Sequence, residues 1–243
     1  MHIVKLNATA STNTYLREFC RDLNVTEDIL AYTIEQTAGK GQMGTAWEAE
    51  PGKNLTFSVF RKVRALPVNQ QFYITMATSL AIFELLEQLG LNKVSVKWPN
   101  DILAGREKIC GVLIESVIKY GSLDAVIIGV GLNVNQTVFQ YAPRATSLKL
   151  QTGTDYDLDT LLDKIINQFY KYVDMLLEGK FDELKKSYED KLFRKGIPST
   201  FKDNNDMTFN GIIEGVTEQG MLTVLLEDET QAAYDLKQIE LLY

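Results

Sequence analysis

The sequence predicts an α+β fold, in which a mixed, largely antiparallel sheet is flanked by helices and followed by a small C-terminal β-barrel. Two observations support this prediction. In residues 1–194, segments with apolar residues at helical spacing alternate with short β-branched segments. After Gly196 the pattern changes to short strands broken by turns, and such a shift marks a domain boundary. We therefore expect a larger domain over residues 1–194 and a small β-barrel domain over residues 195–243.

The helices are predicted from apolar periodicity and from the residues at their ends. Ser11 and Asp157 each precede a segment whose apolar residues fall on one helical face, so both are expected to be N-caps. A further helix begins near Asn69 and ends at Gly90, because glycine is the usual stop residue of a helix. Residues 181–192 predict another helix.

The strands are predicted where β-branched and apolar residues cluster between turn residues. Residues 29–35 and 55–60 are two such segments, separated by a glycine-rich loop. Residues 93–98 alternate apolar and polar side chains before Pro99, which predicts a half-buried strand. Residues 109–118 and 125–132 predict an antiparallel hairpin, and their high apolar content favours a central place in the sheet.

The composition is that of an ordinary globular protein, with 243 residues, 45% of them hydrophobic and 23% charged. A net charge of −7 argues against a general nucleic-acid binder. The longest apolar stretch, residues 125–132, is far shorter than the ~20 residues that span a bilayer. Residues 1–12 lack the features of a secretory signal, so we expect a cytoplasmic protein that contacts no membrane.

The rare residues exclude several catalytic classes. His2 is the single histidine, at a terminus expected to be poorly tethered, which excludes Ser-His-Asp and Cys-His catalysis and sites built on several histidines. Cys20 and Cys110 are too few for a disulfide framework and are expected to be small buried apolar residues. The groups that remain available for catalysis are lysines, carboxylates, amides, backbone N–H groups and a Mg²⁺ ion that arrives with a substrate. That repertoire suits phosphate and acyl-phosphate chemistry.

A glycine-rich segment, residues 39–44 (GKGQMG), matches the GxGxxG pattern of dinucleotide-binding proteins. The match fails in context, because the following Pro51, Gly52 and Asn54 preclude the helix that a dinucleotide loop must open. We interpret the segment as a flexible cationic loop that acts as a lid and whose backbone N–H groups approach an anion. A plain surface hairpin is the simpler alternative.

Two further segments are candidates for chemistry. Residues 97–101 (KWPND) end a strand with a cation, an amide and a carboxylate, and Lys108 follows. Separately these are a solvated lysine and a turn, but together they form a site that neutralises phosphate charge and handles a proton, an amine or a metal. Gly129 and Gly131 interrupt an apolar strand, which indicates close approach of a ligand or backbone, or a β-bulge.

Taken in chain order, these segments resemble biotin protein ligases over essentially the whole chain. The resemblance rests on Ser11-Thr12-Asn13, Gln36, the glycine loop with Trp47, KWPND, Lys108 to Gly111, and Gly129 to Asn133. KWPND is the most specific element. The resemblance implies a class II synthetase-like catalytic domain with an SH3-like C-terminal barrel. In that family, biotin and ATP form biotinoyl-5′-AMP and pyrophosphate, and biotin then passes to one lysine of a biotin carboxyl carrier domain.

The resemblance also implies roles for individual residues. Biotin would be surrounded by Ser11, Thr12, Asn13, Gln36, Lys40, Gly41, Gln42, Lys108, Gly111, Gly129 and Gly131. ATP would contact Lys40, Gln42, Trp47, Lys97, Asn100, Lys108 and Asn133. The catalytic residues would be Lys108, which grips the biotin carboxylate and the phosphate, Lys97 near the ATP phosphates, and Asp101, which orients or deprotonates the carrier lysine. Mg²⁺ would arrive with ATP, near Asn100, and Asn133 would lie near the adenine.

The sequence departs from the family in two respects. The family's loop commonly reads GRGRxG, whereas this chain has Lys40 and Gln42, and glutamine cannot match the charge or fork of arginine. We therefore expect Gln42→Arg to slow dissociation of the adenylate. Residues 1–10 leave no room for the DNA-binding domain of some members, so we expect a monofunctional ligase without DNA binding.

Two alternative functions stay open at this point. A lipoate or octanoate ligase or transferase shares the fold and also modifies a lysine of a carrier domain. A non-catalytic biotin or nucleotide sensor would need neither Lys108 nor Asp101.

An exposed strand edge would pair with a carrier domain or with a second copy in a homodimer.

Overall fold

The computed structural model describes residues 1–21, 25–63, 66–120 and 122–243. Its larger sheet has seven strands in the order β1-β2-β3-β7-β6-β5-β4. The strands are β1 His2–Thr9, β2 Ile29–Gln36, β3 Leu55–Lys62, β4 Val94–Lys97, β5 Asp101–Ala104, β6 Glu107–Lys119 and β7 Ser122–Leu132. β1 and β2 run parallel, and the other neighbouring strands run antiparallel. The predicted mixed, largely antiparallel sheet is therefore confirmed, with the β6–β7 hairpin near its centre.

Helices cover both faces of this sheet. They are α1 Thr12–Phe19, α2 Phe72–Gln88, α3 Leu148–Thr152, α4 Leu158–Leu177 and α5 Phe181–Glu189. α2 packs against α4, α5 and several strands, so residues 76–83 are buried without interruption. The predicted helix is thus present, but it is buried on several sides rather than on one apolar face.

Strand alternation decides which side chains face α1. On β7, Val126, Ile128 and Val130 join the core with α2, whereas Ala125 and Ile127 pack with α1. Because side chains alternate along a strand, Gly129 and Gly131 lie on the α1 face. The same alternation places Thr56 and Ser58 of β3 on that face, together with Phe60.

The C-terminal part forms a second, smaller antiparallel sheet in the order β11-β10-β9-β8-β12. Its strands are β8 Pro198–Asp203, β9 Thr208–Val216, β10 Leu222–Leu226, β11 Gln231–Tyr234 and β12 Ile239–Leu242. Two hydrogen bonds join this part to the rest of the chain: the Trp98 indole N–H, just after β4, donates to the Gly220 carbonyl at 2.8 Å, and Val216 N–H donates to Glu189 of α5 at 3.0 Å. The division into domains at residues 194 and 195 stays a prediction.

The N-terminus differs from its prediction. His2 begins β1, and its N–H donates to the Asp28 carbonyl at 2.9 Å. The terminal amino group of Met1 forms an ion pair with Glu27 at 2.8 Å. The expectation of a poorly tethered terminus was wrong, because parallel pairing with β2 holds this segment. No helix within the described ranges is long and apolar enough to cross a membrane.

Candidate active site

A cavity of about 280 Å³ opens on the α1 face of the larger sheet. It lies between the start of α1, the glycine loop (residues 39–47), and strands β3, β6 and β7. Every residue predicted to surround biotin lines it, namely Ser11, Thr12, Asn13, Gln36, Lys40, Gly41, Gln42, Lys108, Gly111, Gly129 and Gly131. Segments far apart in the sequence therefore meet at one concave surface.

The first turn of α1 is held to β2 and β3 by side-chain hydrogen bonds. Ser11 occupies the N-cap position as predicted, but its side chain makes no capping bond. The Thr12 backbone N–H donates instead to Gln36 Oε1 at 3.0 Å, at the end of β2. The fully buried Ser58 hydroxyl lies 2.6 Å from Asn13 Oδ1 and 2.7 Å from Thr12 Oγ1. These bonds fix the polar side chains that α1 presents to the cavity.

Asn13 is oriented from both ends of its carboxamide. Its Nδ2 donates to Glu115 at 2.8 Å, and Glu115 forms an ion pair with Arg17 at 2.8 Å. Its Oδ1 lies against Gly129, where a Cβ atom would collide with it. The close approach of Asn13 therefore explains why a glycine occupies position 129.

Ser58 and Glu115 are contacts that the sequence prediction missed. The available indication for Ser58 was the polar pair Thr56 and Ser58, two residues apart in the otherwise apolar strand β3. Such spacing places both polar groups on one face of a buried strand, and a buried polar group needs a partner.

Trp47 covers the other two strand glycines. A Cβ atom at Gly131 would collide with the indole ring, and one at Gly111 would lie 3.0 Å from its Cζ3 atom. The indole Nε1 is buried without a hydrogen-bond partner in the described part of the chain. Trp47, predicted as an ATP contact, thus lies over the glycine surface predicted for biotin. Its ring and the bare strands form a flat apolar wall with one free donor.

The glycine loop is a narrow hairpin with an exposed tip. Gly41 N–H donates to the Thr45 carbonyl at 2.7 Å, and Lys40 pairs with Ala46. Met43 at the tip has φ 54°, and 60% of its side chain is exposed. Lys40 Nζ reaches Thr14 Oγ1 of α1 at 3.4 Å, so the loop spans the cavity mouth. This placement fits the predicted lid.

Lys108 and Asp101 form an ion pair at the cavity wall, with Nζ 2.6 Å from Oδ1. The two residues come from the paired strands β5 and β6. Because of a register shift between Ile102 and Leu103, Lys108 lies opposite Leu103, two residues from Asp101. Their side chains are 36% and 22% exposed, so a ligand can reach both. Lys108 Nζ also lies 5.5 Å from the centre of the Trp47 ring. The opposite charges of the two predicted catalytic residues therefore partly neutralise each other.

Two residues predicted to contact ATP lie outside this cavity. Lys97 lines a neighbouring cavity that shares Asp101 and Lys108 with it. Asn133 is only 2% exposed, and its Nδ2 donates to the Thr146 carbonyl at 2.9 Å. Its Oδ1 is a buried acceptor without a partner among the described residues.

The turn between β11 and β12 of the second sheet contributes Leu236 and Lys237 to the cavity wall. This contact was not predictable from the sequence, because it depends on how the two sheets pack. A further link lies directly after the glycine loop: the Glu48 carboxylate accepts hydrogen bonds from the N–H groups of Gln140 and Tyr141, at 2.8 and 2.9 Å. It ties the residue that follows the glycine loop to residues 140 and 141.

The oxygen-bearing side chains suit a metal that arrives with a substrate. Asn100 Nδ2 donates to the Val112 carbonyl at 2.6 Å, which leaves its oxygen as the end that can accept. Asp101 is its neighbour. Within the described ranges no cluster of three or more His, Cys, Asp or Glu side chains forms a metal cage. Mg²⁺ commonly keeps waters and substrate phosphates as ligands and takes only one or two from the protein.

Neither cysteine supplies a nucleophile. Both are buried, as predicted. Burial raises the pKa of the Cys20 thiol to about 11 and that of Cys110 far above its ordinary value, although nearby lysines oppose the rise. Since the thiolate is the reactive form, thiol chemistry is suppressed at both positions.

Comparison with known proteins gives consistent results. The model of the "Biotin/lipoate A/B protein ligase family" matches residues 6–133. The chain is 27% identical over 239 residues to the bifunctional ligase/repressor BirA of Bacillus subtilis, covering 96% of this chain and 72% of that protein. It is 27% identical over 227 residues to the biotin–acetyl-CoA-carboxylase ligase of Paracoccus denitrificans, covering 89% and 91%. The structure of biotin protein ligase from Aquifex aeolicus in complex with biotin and ATP superposes with a TM-score of 0.81 at 26% identity, covering 99% and 98%.

Proposed function

The chain belongs to the biotin/lipoate A/B protein ligase family, and from that premise we propose how its cavity activates biotin and transfers it. Its relative in Paracoccus denitrificans is named as a biotin ligase, and the similar Aquifex aeolicus structure holds biotin and ATP. The chain is accordingly an ATP-dependent biotin protein ligase, and the lipoate alternative is disfavoured. One observation carries the assignment of the site: the predicted biotin residues share one cavity with the Lys108–Asp101 ion pair.

Biotin fits the two contrasting walls of this cavity. The fused rings of biotin carry a urea group with N–H donors and a carbonyl acceptor, and the positioned side chains of Thr12, Asn13 and Gln36 supply matching polar atoms. Its apolar tail fits the flat surface made by Trp47 and the strand glycines. Because the polar wall is held by internal hydrogen bonds, little ordering is required when biotin binds.

The first half-reaction joins the biotin carboxylate to the α-phosphorus of ATP. A carboxylate oxygen forms the new bond, the bond from the α-phosphorus to the bridging oxygen breaks, and pyrophosphate leaves with the electron pair. Lys108 is placed to stabilise the charge on the carboxylate and on the α-phosphate oxygens, as these anions compete with Asp101 for its ammonium group. Lys40 and Gln42 close over the adenylate from the glycine loop.

The nucleotide is proposed to lie beside Lys108, with Asn100 as the side chain nearest to its Mg²⁺. When bound, that ion neutralises phosphate charge. Among the described residues, Asn133 Oδ1 is an unpaired buried acceptor, the kind of atom that would accept from the amino group of adenine. Since Asn133 is only 2% exposed, the residues around it must move before adenine reaches it.

In the second half-reaction the amine of a carrier lysine attacks the acyl carbon of the adenylate, and AMP leaves. Once Lys108 is engaged by the adenylate, Asp101 is released to orient the lysine ammonium and accept its proton. We propose that the acceptor is a biotin carboxyl carrier domain. The cytoplasmic location, the absence of DNA binding and the formation of a homodimer stay predictions.

Two variants separate the half-reactions. We expect Lys108→Ala to reduce biotin-dependent pyrophosphate release by about 100-fold or more, the usual effect of removing a charge-stabilising group. We expect Asp101→Asn to keep adenylate formation and to lose transfer of preformed biotinoyl-5′-AMP to the carrier. Lys149→Ala is the matched control, since Lys149 forms an ion pair of 2.7 Å with Asp155 at a similar exposure outside the cavity. Normal pyrophosphate release by Lys108→Ala, or normal transfer by Asp101→Asn, would contradict these roles.

A further inference from the structure

A second cavity of about 630 Å³ adjoins the active-site cavity across the Lys108–Asp101 ion pair. Both cavities are lined by these two residues. The second cavity is otherwise bounded by Lys97, by residues 142–145 and by residues 240–243 at the end of the smaller sheet. A ligand that occupies both cavities would therefore pass directly beside Lys108.

Two cations in this second cavity contact the same aromatic ring. Lys97 Nζ lies 4.8 Å and Arg144 Cζ lies 5.0 Å from the centre of the Tyr243 ring. The ring is itself held by an edge contact with Phe193, at 5.0 Å between centroids. An aromatic face attracts a cation, so Tyr243 holds both side chains at the cavity.

The charges of this pair are not neutralised within the described part of the protein. Lys97 and Arg144 form no ion pair there, in contrast to Lys108 with Asp101. Glu240 is on the cavity wall, but the structure places it 3.9 Å from Lys202. Two unpaired cations on one ring repel each other, and an anion with several charges would relieve that repulsion.

Arg144 is also tied to the catalytic lysine through the backbone. Lys108 N–H donates to the Arg144 carbonyl at 2.7 Å, and Thr146 N–H donates to the Lys108 carbonyl at 2.9 Å. The position of Arg144 is thus fixed relative to Lys108 by a short parallel pairing.

We propose that Arg144, together with Lys97, binds the β- and γ-phosphates of ATP and the departing pyrophosphate, and that Tyr243 positions both cations. This inference rests on the proposed function and extends it to two residues, Arg144 and Tyr243. The α-phosphate lies beside Lys108, so the rest of the triphosphate enters the second cavity. A guanidinium group offers the two-pronged geometry that phosphate oxygens accept. When the bond to the bridging oxygen breaks, the new negative charge appears on the pyrophosphate, beside these cations.

The test separates ATP binding from the other steps. Initial rates of pyrophosphate release are measured against Mg-ATP and against biotin in turn, and transfer from preformed biotinoyl-5′-AMP to a carrier domain is measured separately. We expect Arg144→Met to raise KM for ATP about tenfold and to weaken inhibition by added pyrophosphate similarly, as for loss of a charge-assisted contact. KM for biotin and the transfer rate stay at the wild-type values. Arg144→Lys, which keeps the charge, is expected to be intermediate.

Tyr243 is tested as a positioning residue by a pair of variants. We expect Tyr243→Leu to raise KM for ATP severalfold, because the aromatic face is lost. Tyr243→Phe keeps that face and is expected to match the wild type. Arg106→Met, which removes an arginine from an exposed turn, is the control for loss of one charge.

Several results would overturn the inference. An unchanged KM for ATP in Arg144→Met would do so, as would an equal rise in KM for ATP and biotin, which indicates a structural defect. A defect confined to transfer would assign this cavity to the carrier instead. If the wild type releases no pyrophosphate with biotin, the proposed function itself fails, so the two failures are distinguishable.

Discussion

Ser58 and Ser79 are both fully buried, but only Ser58 contacts residues of the proposed active site. The Ser58 hydroxyl contacts Asn13 and Thr12, whereas Ser79 Oγ, on α2, has no partner among the described residues. Removing a hydroxyl that satisfies buried polar groups costs more than removing one that is unpaired.

We therefore expect Ser58→Ala to raise KM for biotin about tenfold, because Asn13 loses one of the contacts that orient it. Ser79→Ala is expected to leave KM unchanged and to keep or raise the melting temperature. Steady-state kinetics and thermal unfolding of the two variants provide the measurement. Equal effects of the two substitutions on KM would show that Ser58 has no positioning role.

The strand glycines show what could be predicted about single residues from the sequence. The sequence indicated that Gly129 and Gly131 allow a close approach, and the structure contains close approaches at both. It could not identify the approaching groups, because Asn13 and Trp47 are distant in the chain and reach the strands only through the fold. For the same reason Glu115 was missed.

At the scale of whole elements, Glu48 links the segment that follows the glycine loop to the loop that contains Gln140 and Tyr141. Each of its carboxylate oxygens accepts one backbone N–H, from Gln140 and Tyr141. An amide in its place offers a single acceptor atom, so one of the two bonds is lost.

We expect Glu48→Gln to lower hydrogen-exchange protection of the amides of Gln140 and Tyr141 about tenfold, the equivalent of one lost hydrogen bond of ~1.4 kcal/mol. Glu50→Gln is the control, since Glu50 lies on the same segment and contacts residue Gln136 through its backbone. Protection that stays at the wild-type value in Glu48→Gln would show that the carboxylate does not hold this loop.

The contact between α2 and α4 predicts a pH dependence of stability. Burial raises the pKa of Glu84, but hydrogen bonds from Lys171 and Tyr172 outweigh it, and the net pKa is below the ordinary 4.5. A carboxyl group with a lowered folded-state pKa stabilises the fold above its unfolded pKa. That contribution is lost as the pH falls through the folded-state pKa.

Glu84→Gln is therefore expected to lower the free energy of unfolding by about 1 kcal/mol near neutral pH, with the difference from wild type shrinking below pH 4.5. Urea unfolding from pH 7 to pH 3 measures it, with Glu87→Gln on the exposed side of the same helix as control. A difference that is constant with pH would contradict the assigned cause.

Elements with strong local patterns were predicted well. Asp157 caps α4 as expected, accepting from Thr160 N–H at 2.8 Å. β1, β5 and α3 were not predicted. β5 and α3 are too short for a clear period, at 4 and 5 residues. β1 is stabilised by its pairing with β2, a contact that local sequence does not reveal.

At the scale of the whole molecule, the smaller sheet completes the active-site region. Leu236 and Lys237 line the first cavity, and Tyr243 lines the second. The Trp98–Gly220 hydrogen bond connects this part to the segment after β4, and the Glu189–Val216 bond connects it to α5. Sequence patterns predicted the strands of the smaller sheet, but the docking of the two sheets required the structure.

The function proposed for this cavity is the activation of biotin with ATP. Pyrophosphate release from Mg-ATP by the wild-type protein tests it most directly, with biotin, lipoate, octanoate or no acid present, followed by addition of a biotin carboxyl carrier domain. We expect release that depends on biotin, followed by labelling of one carrier lysine. Release with lipoate or octanoate instead of biotin would contradict the substrate assignment. If none of the three acids supported release, the enzymatic function itself would be contradicted.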